Sequence, residues 1–157
     1  MRIAMTTGMP SVEEFLLREA QKVADKTIRM LSRLGDDCIN EARDRSPEAS
    51  WYDHSGCLRS SVGYVITRNG NIINMSNFRV VKQGSEGQRK GKEYASWLAK
   101  HSTDNFALII VAGMPYASEV EAMNNKVVLA SAELMAREKL PGYLQRLAQK
   151  LNEDIIG

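Results

Sequence analysis

SVEEFLLREAQKVADKTIRMLSRLGDDCINEARD, residues 11–44, is the longest continuous pattern in the chain. Ser11 followed by Glu14 fits a capping box, in which the two side chains satisfy free backbone N–H groups at the start of a helix. Apolar or weakly polar side chains then recur at steps of three and four, separated by charged ones: Phe15, Leu16, Ala20, Val23, Thr27, Leu31, Leu34 and Cys38. The pattern predicts one long amphipathic helix over about residues 12–44, which Pro47 stops. Gly35 is predicted to mark a bend or a close approach of another backbone within it.

A strand and a hairpin are predicted next. Two sets of residues alternate, as in a strand with two different faces: Val62, Tyr64 and Ile66 on one side and Gly63, Val65 and Thr67 on the other. Asn69-Gly70 suits a two-residue turn, since both residue types tolerate positive φ. Residues 72–75 and 78–81 are therefore predicted to return antiparallel, with an irregularity at residues 76–77.

The remaining segments are shorter. Residues 82–92, KQGSEGQRKGK, contain three glycines and no apolar periodicity, which predicts a mobile loop. A short helix over residues 93–100 and a central buried strand over 105–111 are predicted to follow. Residues 127–156 have helical spacing, divided or kinked by Pro141-Gly142, and their first three residues are either a short strand or the entry to the helix. These elements predict an α+β fold, with the long N-terminal helix packed on a small antiparallel β-sheet and a C-terminal helical region.

Composition sets the broad class. The 157 residues suit a single domain, 1–157, and 43% apolar with 25% charged residues is typical of a globular protein. The net charge of +2 decides nothing about nucleic acid. Cys38 and Cys57 are expected to be free thiols in a reducing cytosol, because residues 1–10 lack a secretory apolar segment. No apolar stretch approaches the roughly 20 residues that cross a bilayer, so no membrane partner is expected.

Catalytic chemistry has one weak candidate. Asp53, His54, Glu119 and Glu121 are residue types from which metal-dependent nucleases build their sites. The spacing does not favour a metal, since neither His54 nor His101 belongs to a ligand-spaced pair. The favoured interpretation is that Asp53 and Ser55 shape a turn and that the two glutamates are solvated. We expect no metal, no cofactor and no enzymatic activity.

Two other kinds of site are disfavoured, and a basic segment stays open. Cys57 lies near His54, but no acid orients that pair. A phosphate-binding loop ending at Gly91-Lys92 would need a glycine at position 86 and Ser or Thr at 93, and both are glutamate. The cations of the predicted loop either contact DNA or another subunit or simply solvate the segment; they are Lys82, Arg89, Lys90 and Lys92.

Three stretches together resemble a known family: WYDHSGCLRSSVGY (51–64), VAGMPYASEVE (111–121) and KVVLASAE (126–133). They look like the small neck proteins of tailed bacteriophages, also called head-tail connector, tail-completion or minor tail proteins, which prophages often carry. In that family a long N-terminal helix precedes a turn followed by T/S-G-x-L-R-x-S. A strand then leads into P-Y-A-x-x-V-E, and a C-terminal helix closes the fold. The order agrees from about Ser11 to Leu151, whereas Cys57 and the longer 82–103 segment depart from the family pattern.

The resemblance implies a virion structural protein without enzymatic activity, assembled in the bacterial host cytoplasm. It implies a ring of copies of the chain between the portal and the tail, so the expected partners are the chain itself, the portal or adaptor protein, and tail proteins. Contacts within the ring are expected from residues 82–92 and from the exposed sides of the long helix. The alternative is a small DNA-binding or metal-dependent nuclease-like protein that uses the basic loop with Asp53, His54, Glu119 and Glu121.

The motif residues have structural tasks under this interpretation. Asp53, Ser55 and Gly56 shape the turn from which Leu58 and the following strand depart, and Arg59 is placed to reach a carboxylate in the same or a neighbouring subunit. If a strand ends at Gly113, Pro115 fits the first turn of a short helix. Tyr116 and Val120 then share the inward face of that helix, while Glu119 points outward.

Overall fold

The α+β fold is confirmed in the computed structural model, which describes residues 11–44, 53–122 and 128–156, without the side chains of 155 and 156. The elements are α1 (Val12–Arg43), α2 (Cys57–Ser60), β1 (Val62–Arg68), β2 (Asn71–Met75), α3 (Ser85–His101), β3 (Phe106–Ala112), α4 (Ala117–Ala122) and α5 (Ala130–Ile156). Pro47 and Val127, which the predictions above used, lie outside the described residues. Within the described ranges no helix is long and apolar enough to cross a membrane.

Three antiparallel strands form the sheet, in the order β2-β1-β3. The central strand is β1, which pairs Val62 with Ala112 at one end and Arg68 with Phe106 at the other. The central position predicted for residues 105–111 is therefore wrong, because β3 lies at an edge. Its apolar run instead reflects packing on both faces, since α1 and α5 lie against one face of the sheet and α3 against the other.

The predicted Asn-Gly turn is confirmed. Asn69 and Gly70 have φ of 51° and 80°, the positive values that a two-residue hairpin turn requires. β2 ends at Met75 and has one extra residue, Ile73, because Ile66 pairs with Asn74 and Thr67 with Ile72. Residues 78–81, predicted to return as strand, are irregular.

The capping box at the start of α1 is present. The Ser11 side chain accepts a hydrogen bond from the Glu14 amide at 3.1 Å, and the Glu14 carboxylate accepts one from the Ser11 amide at 3.2 Å. Gly35 lies inside the unbroken helix, as predicted. A Cβ there would lie 2.8 Å from the ring of Tyr64, so the glycine allows β1 to approach α1 closely.

The mobile loop predicted for residues 82–92 is wrong, because Ser85 already begins α3 and only residues 82–84 form a turn. Small buried residues recur along this segment at steps of three and four: Gly84, Gly87, Gly91, Ala95 and Ala99. They form a face on which α3 lies against α2 and β1. A Cβ at Gly87 would lie 1.9 Å from the carbonyl oxygen of Cys57. The helical period is carried by glycine and alanine, which a search for large apolar residues overlooks.

The C-terminal region is one helix, so Pro141-Gly142 does not divide it. α5 runs antiparallel to α1, because Cys38 contacts Ala132 near one end and Lys26 pairs with Asp154 near the other. Residues 128–129 lead into α5 as a bend, which resolves the choice between strand and helix entry for the described part of that run.

The two cysteines are free, and their environments predict different reactivity. Cys38 is fully buried, and burial, with a smaller contribution from Asp37, raises the pKa of its thiol to about 11. Its thiolate fraction falls by roughly a hundredfold, because two pKa units separate it from the ordinary value. We expect iodoacetamide to modify only Cys57 in the native chain and both thiols after denaturation, as measured by mass spectrometry. Rapid labelling of native Cys38 would contradict this placement.

Candidate functional site

The Asp53 turn is built around one buried carboxylate. Its Oδ1 accepts a hydrogen bond from the amide of Gly56 at 3.0 Å, and its Oδ2 accepts one from the amide of Arg59 at 2.8 Å. Ser55 Oγ accepts from the amide of Cys57 at 3.2 Å. These side chains satisfy amides in and before the first turn of α2, so the predicted turn-shaping role of Asp53 and Ser55 is confirmed.

A second segment closes over this turn. Lys82 Nζ donates to the carbonyl oxygen of Asp53 at 2.7 Å. Gly56 has φ of 79°, and a Cβ there would lie 2.0 Å from the carbonyl oxygen of Val81. Gly56 is thus required both by its backbone conformation and by the close approach of the residue 81–82 backbone. Lys82 was predicted to contact DNA or another subunit, and its ammonium donates a hydrogen bond within the fold.

Two serines of the LRSS sequence are buried in the same region. Ser60 Oγ accepts from the amide of Val81 at 2.8 Å, and Ser61 Oγ donates to the carbonyl oxygen of Leu58 at 2.7 Å. The Ser61 carbonyl oxygen accepts from the amide of Gly113 at 3.1 Å, which ties the first motif to the end of β3. These serines were not predicted as site residues, and their only sequence signal is their place beside Leu58 and Arg59.

The corner after β3 agrees in part with its prediction. β3 ends at Ala112, and Pro115 lies in the turn before α4 instead of in its first turn. Val120 packs inward as expected, but Tyr116 is 37% exposed. Partial burial raises the pKa of Tyr116, and the negative charges of Asp53, Cys57 and Glu86 add to the effect. The corner lies beside the Asp53 turn, because Met114 and Ala117 share a buried cluster with Leu58.

Glu121 has a role that the sequence did not predict. Its Oε1 accepts hydrogen bonds from three successive backbone amides, those of Val128 at 3.3 Å, Leu129 at 2.9 Å and Ala130 at 2.7 Å. These are the free amides at the start of α5, where the helix dipole also favours a negative charge. The prediction that Glu121 is merely solvated is wrong. Glu119 is exposed, as predicted.

Replacing Glu121 with alanine should therefore lower stability. We expect the free energy of unfolding to fall by about 1–2 kcal/mol, because three helix-end amides lose their acceptor. Glu119→Ala, two residues away on the same helix, should change stability by less than about 0.5 kcal/mol. Urea unfolding of both variants measures the difference. Equal effects would contradict a capping role for Glu121.

An apolar cluster joins the three stretches that carry the family resemblance. One buried cluster contains Leu58 from the first stretch, Met114 and Ala117 from the second, and Val128 from the third, with Val120 and Leu129 packed against it. Stretches far apart in sequence thus share one small core. Trp51, Tyr52, Lys126 and Val127 of these stretches lie outside the described residues.

The metal-site candidates do not assemble. Among residues 11–44, 53–122 and 128–156, no group of three His, Cys, Asp or Glu side chains is arranged to hold a metal ion. Both oxygens of Asp53 and one of Glu121 accept from backbone amides, so these carboxylates bind the chain itself. The polar residues around α2 and α4 are arranged to hold helix ends.

The basic residues of the predicted loop are partly neutralised on α3. Arg89 pairs with Glu93 at 2.7 Å, and Lys90 pairs with Glu86 at 3.1 Å, both across one helical turn. Lys92 is exposed. Since two of these three α3 cations have a carboxylate beside them, α3 is a weak candidate for phosphate contact.

A stronger basic site, which the sequence analysis missed, lies between α1 and α5. Five cationic side chains line a groove of about 300 Å³: Lys26, Arg29, Arg33, Arg146 and Lys150. Its other lining residues are Met30, Tyr143 and Leu147. Asp154 neutralises Lys26, and the Arg146 guanidinium lies 4.7 Å from the centre of the Tyr143 ring. We call this site the basic groove. Its residues come from α1 and α5, which are far apart in sequence, so no local motif predicts it.

Comparison of the chain with models of protein families, with curated proteins and with solved structures finds no match.

Proposed function

We propose that the chain is a non-enzymatic structural subunit of the neck of a tailed bacteriophage, part of the ring that joins portal to tail. Its place is then the virion, after assembly in the bacterial host cytoplasm. The observation that carries the proposal is the shared cluster of Leu58, Ala117 and Val128, because it gives the three resembling stretches one common structural reason to occur together.

The use of the polar residues supports a structural role. Of the three carboxylates in the nuclease alternative, Asp53 and Glu121 accept hydrogen bonds from backbone amides, and Glu119 is exposed. A catalytic carboxylate needs a lone pair directed at substrate or metal. Carboxylates that cap helices hold the adjacent turns in one geometry. This use suits a subunit that binds other proteins through its surface.

Exposed apolar side chains also support the proposal. Phe15, Leu16 and Leu17 lie on the first two turns of α1, each more than half exposed, and Tyr94 and Trp97 stack on the outer side of α3. Large exposed apolar patches mark protein–protein contact sites. A ring subunit needs two such surfaces, because head-to-tail contacts that close by rotation use a different patch on each side.

Electron microscopy with the portal ring of the same phage genome tests the proposal. Negatively stained portal mixed with the chain is expected to gain ring-shaped density at its tail-facing end, and portal alone is not. Tail or capsid proteins that bind the same portal serve as positive controls. If these proteins add density to the portal and the chain does not, the proposal is contradicted.

The nuclease alternative has its own direct test. Supercoiled plasmid incubated with the chain and Mg²⁺ or Mn²⁺ is expected to stay intact. Cleavage that Glu119→Ala abolishes would overturn the structural role, and that variant is suitable because its exposed side chain leaves the fold intact.

A further inference from the structure

The basic groove lies between two contacts that fix how α5 runs along α1. At one end of the groove, the Lys26 ammonium pairs with the Asp154 carboxylate. At the other end, the Tyr143 hydroxyl donates a hydrogen bond to Asp37 Oδ2 at 2.6 Å. The helices are antiparallel, so these two contacts determine which residues of α1 and α5 face each other across the groove.

Between the two contacts, cations face cations. The antiparallel register places Arg29 opposite Lys150 and Arg33 opposite Arg146, and all four line the groove. Along α1, Arg29 and Arg33 are four residues apart, as are Arg146 and Lys150 along α5, which is about 6 Å of helix axis. Like charges at this spacing destabilise a helix. The four cations therefore repel one another both along and across the groove.

No ion pair offsets this repulsion in the described part of the chain. All four side chains are exposed, and none pairs there with a carboxylate, whereas Lys139 pairs with Asp37 at 3.3 Å. Of the 19 acidic side chains in the sequence, only Glu48 lies outside the described residues. One carboxylate cannot neutralise four cations, so the groove lacks counter-charges of its own.

The charges on α3 have the opposite arrangement. There, Arg89 pairs with Glu93 at 2.7 Å and Lys90 with Glu86 at 3.1 Å, each across one helical turn. Alternating charges of this kind stabilise an exposed helix face. A groove lined by unpaired cations has no such benefit, which indicates that its cations serve a negatively charged ligand.

One of the four cations is already oriented. Arg146 Nε donates to the carbonyl oxygen of Gly142 at 3.3 Å, and its guanidinium lies 4.7 Å from the centre of the Tyr143 ring. An aromatic ring holds the plane of a guanidinium, whose remaining N–H groups match two oxygens of one phosphate. A side chain held in place before binding loses less conformational entropy when the ligand arrives.

We propose that the basic groove binds the sugar-phosphate backbone of a single-stranded nucleic acid. One negative charge per nucleotide matches two continuous rows of cations, whereas a protein segment would need acidic side chains at successive positions. Met30 and Leu147 supply apolar contacts for sugars and bases. The groove volume of about 300 Å³ equals that of about ten water molecules, which suits one strand and excludes a duplex.

This site goes beyond the proposed neck role and does not depend on it. Nucleic-acid binding is measured on the chain alone, and the neck role is tested by density added to a portal. A chain that adds density but binds no nucleic acid would remove only the groove assignment. A chain that binds nucleic acid but adds no density would remove only the neck role.

Fluorescence anisotropy of a labelled oligothymidylate tests the assignment. Between about 50 and 200 mM salt, we expect the logarithm of the affinity to fall against log[salt] with a slope of about −3, because each of four phosphate contacts on a single strand contributes about −0.7. Arg29→Gln with Lys150→Gln removes two of these contacts. At about 50 mM salt it should weaken binding by at least about tenfold, and it should halve the slope.

A matched control removes the same charge elsewhere. Lys100 is exposed on α3, and Arg137 lies about two and a half turns before Arg146, on the opposite side of α5. Lys100→Gln with Arg137→Gln should change the affinity by less than about threefold. Arg33→Gln with Arg146→Gln is a second groove variant, and it should lose affinity as the first one does. Urea unfolding is expected to show that all three variants fold.

Five results would overturn the assignment. The first three are a wild-type chain that does not bind the oligonucleotide at about 50 mM salt, groove variants that bind as the wild type does, and a control variant that loses as much affinity. Inorganic polyphosphate that competes as well per phosphate, or a duplex that binds more tightly, would show that the groove does not select a single strand. Tighter binding of poly-glutamate would assign the groove to an acidic protein segment.

Discussion

Gly87→Ala is expected to destabilise the protein by at least about 3 kcal/mol. The new Cβ would lie 1.9 Å from the Cys57 carbonyl oxygen and 2.8 Å from the Cys57 Cα. Both are backbone atoms, so no side-chain rotation relieves the overlap, and α3 must move away from α2. That movement opens the contact with α2, including the region where Lys82 reaches the Asp53 turn.

The same substitution at Gly142 provides the matched control. Gly142 also lies inside a helix, α5, but nothing lies within 4 Å of a Cβ placed there. Alanine is favoured over glycine in a helix by about 1 kcal/mol, so Gly142→Ala should stabilise the protein by up to that amount. Urea or thermal unfolding followed by circular dichroism measures both variants. If Gly87→Ala and Gly142→Ala both raised or both lowered the free energy of unfolding, α3 would not pack closely on α2.

Asp53→Ala is expected to cost about 3 kcal/mol of stability. The Asp53 residue is 8% exposed, and its carboxylate accepts hydrogen bonds from two amides, those of Gly56 and Arg59. Hydrogen bonds to a charged group contribute about 1.5–3 kcal/mol each, and the loss is partly offset where water enters the turn. Differential scanning calorimetry should show a melting temperature lower by several degrees.

Ser55→Ala is the control in the same turn. Ser55 Oγ accepts a hydrogen bond from the Cys57 amide at an exposed position, so its loss should cost less than about 1 kcal/mol. Asp53→Asn keeps the shape but replaces one acceptor oxygen with a donor group, and an intermediate loss is expected. If Asp53→Ala were as mild as Ser55→Ala, the buried carboxylate would not hold the turn.

The sequence was sufficient to predict those elements that depend on interactions between residues close together in the chain. Ser11 and Glu14 determine the start of α1 within three residues of each other, and the Asn69-Gly70 pair determines its own turn. The alternation in residues 62–67 predicted a strand with two distinct faces, and both faces are buried. Periodicity and turn chemistry were sufficient because neighbouring residues supply the interactions.

Features that depend on distant residues were missed. The helix over residues 85–92 has its apolar face made of glycine, whose propensity disfavours helix, and only the close approach of α2 makes those glycines useful. Glu121 bonds to amides up to nine residues later, with no local pattern to mark the pairing. The basic groove joins Arg29 to Lys150, and no window of sequence contains both.

The pairing of the first helix with the last has a consequence during synthesis. While the ribosome makes the chain, the apolar side of α1 is complete early, but its neighbour α5 is made only after the three strands, α3 and α4. The β1–β2 hairpin closes locally, whereas β1 gains β3 only after α3 has been made. Such non-local contacts slow folding and leave apolar surface uncovered in the meantime. A nascent chain therefore leaves the apolar side of α1 exposed to solvent and to chaperones until α5 has been made.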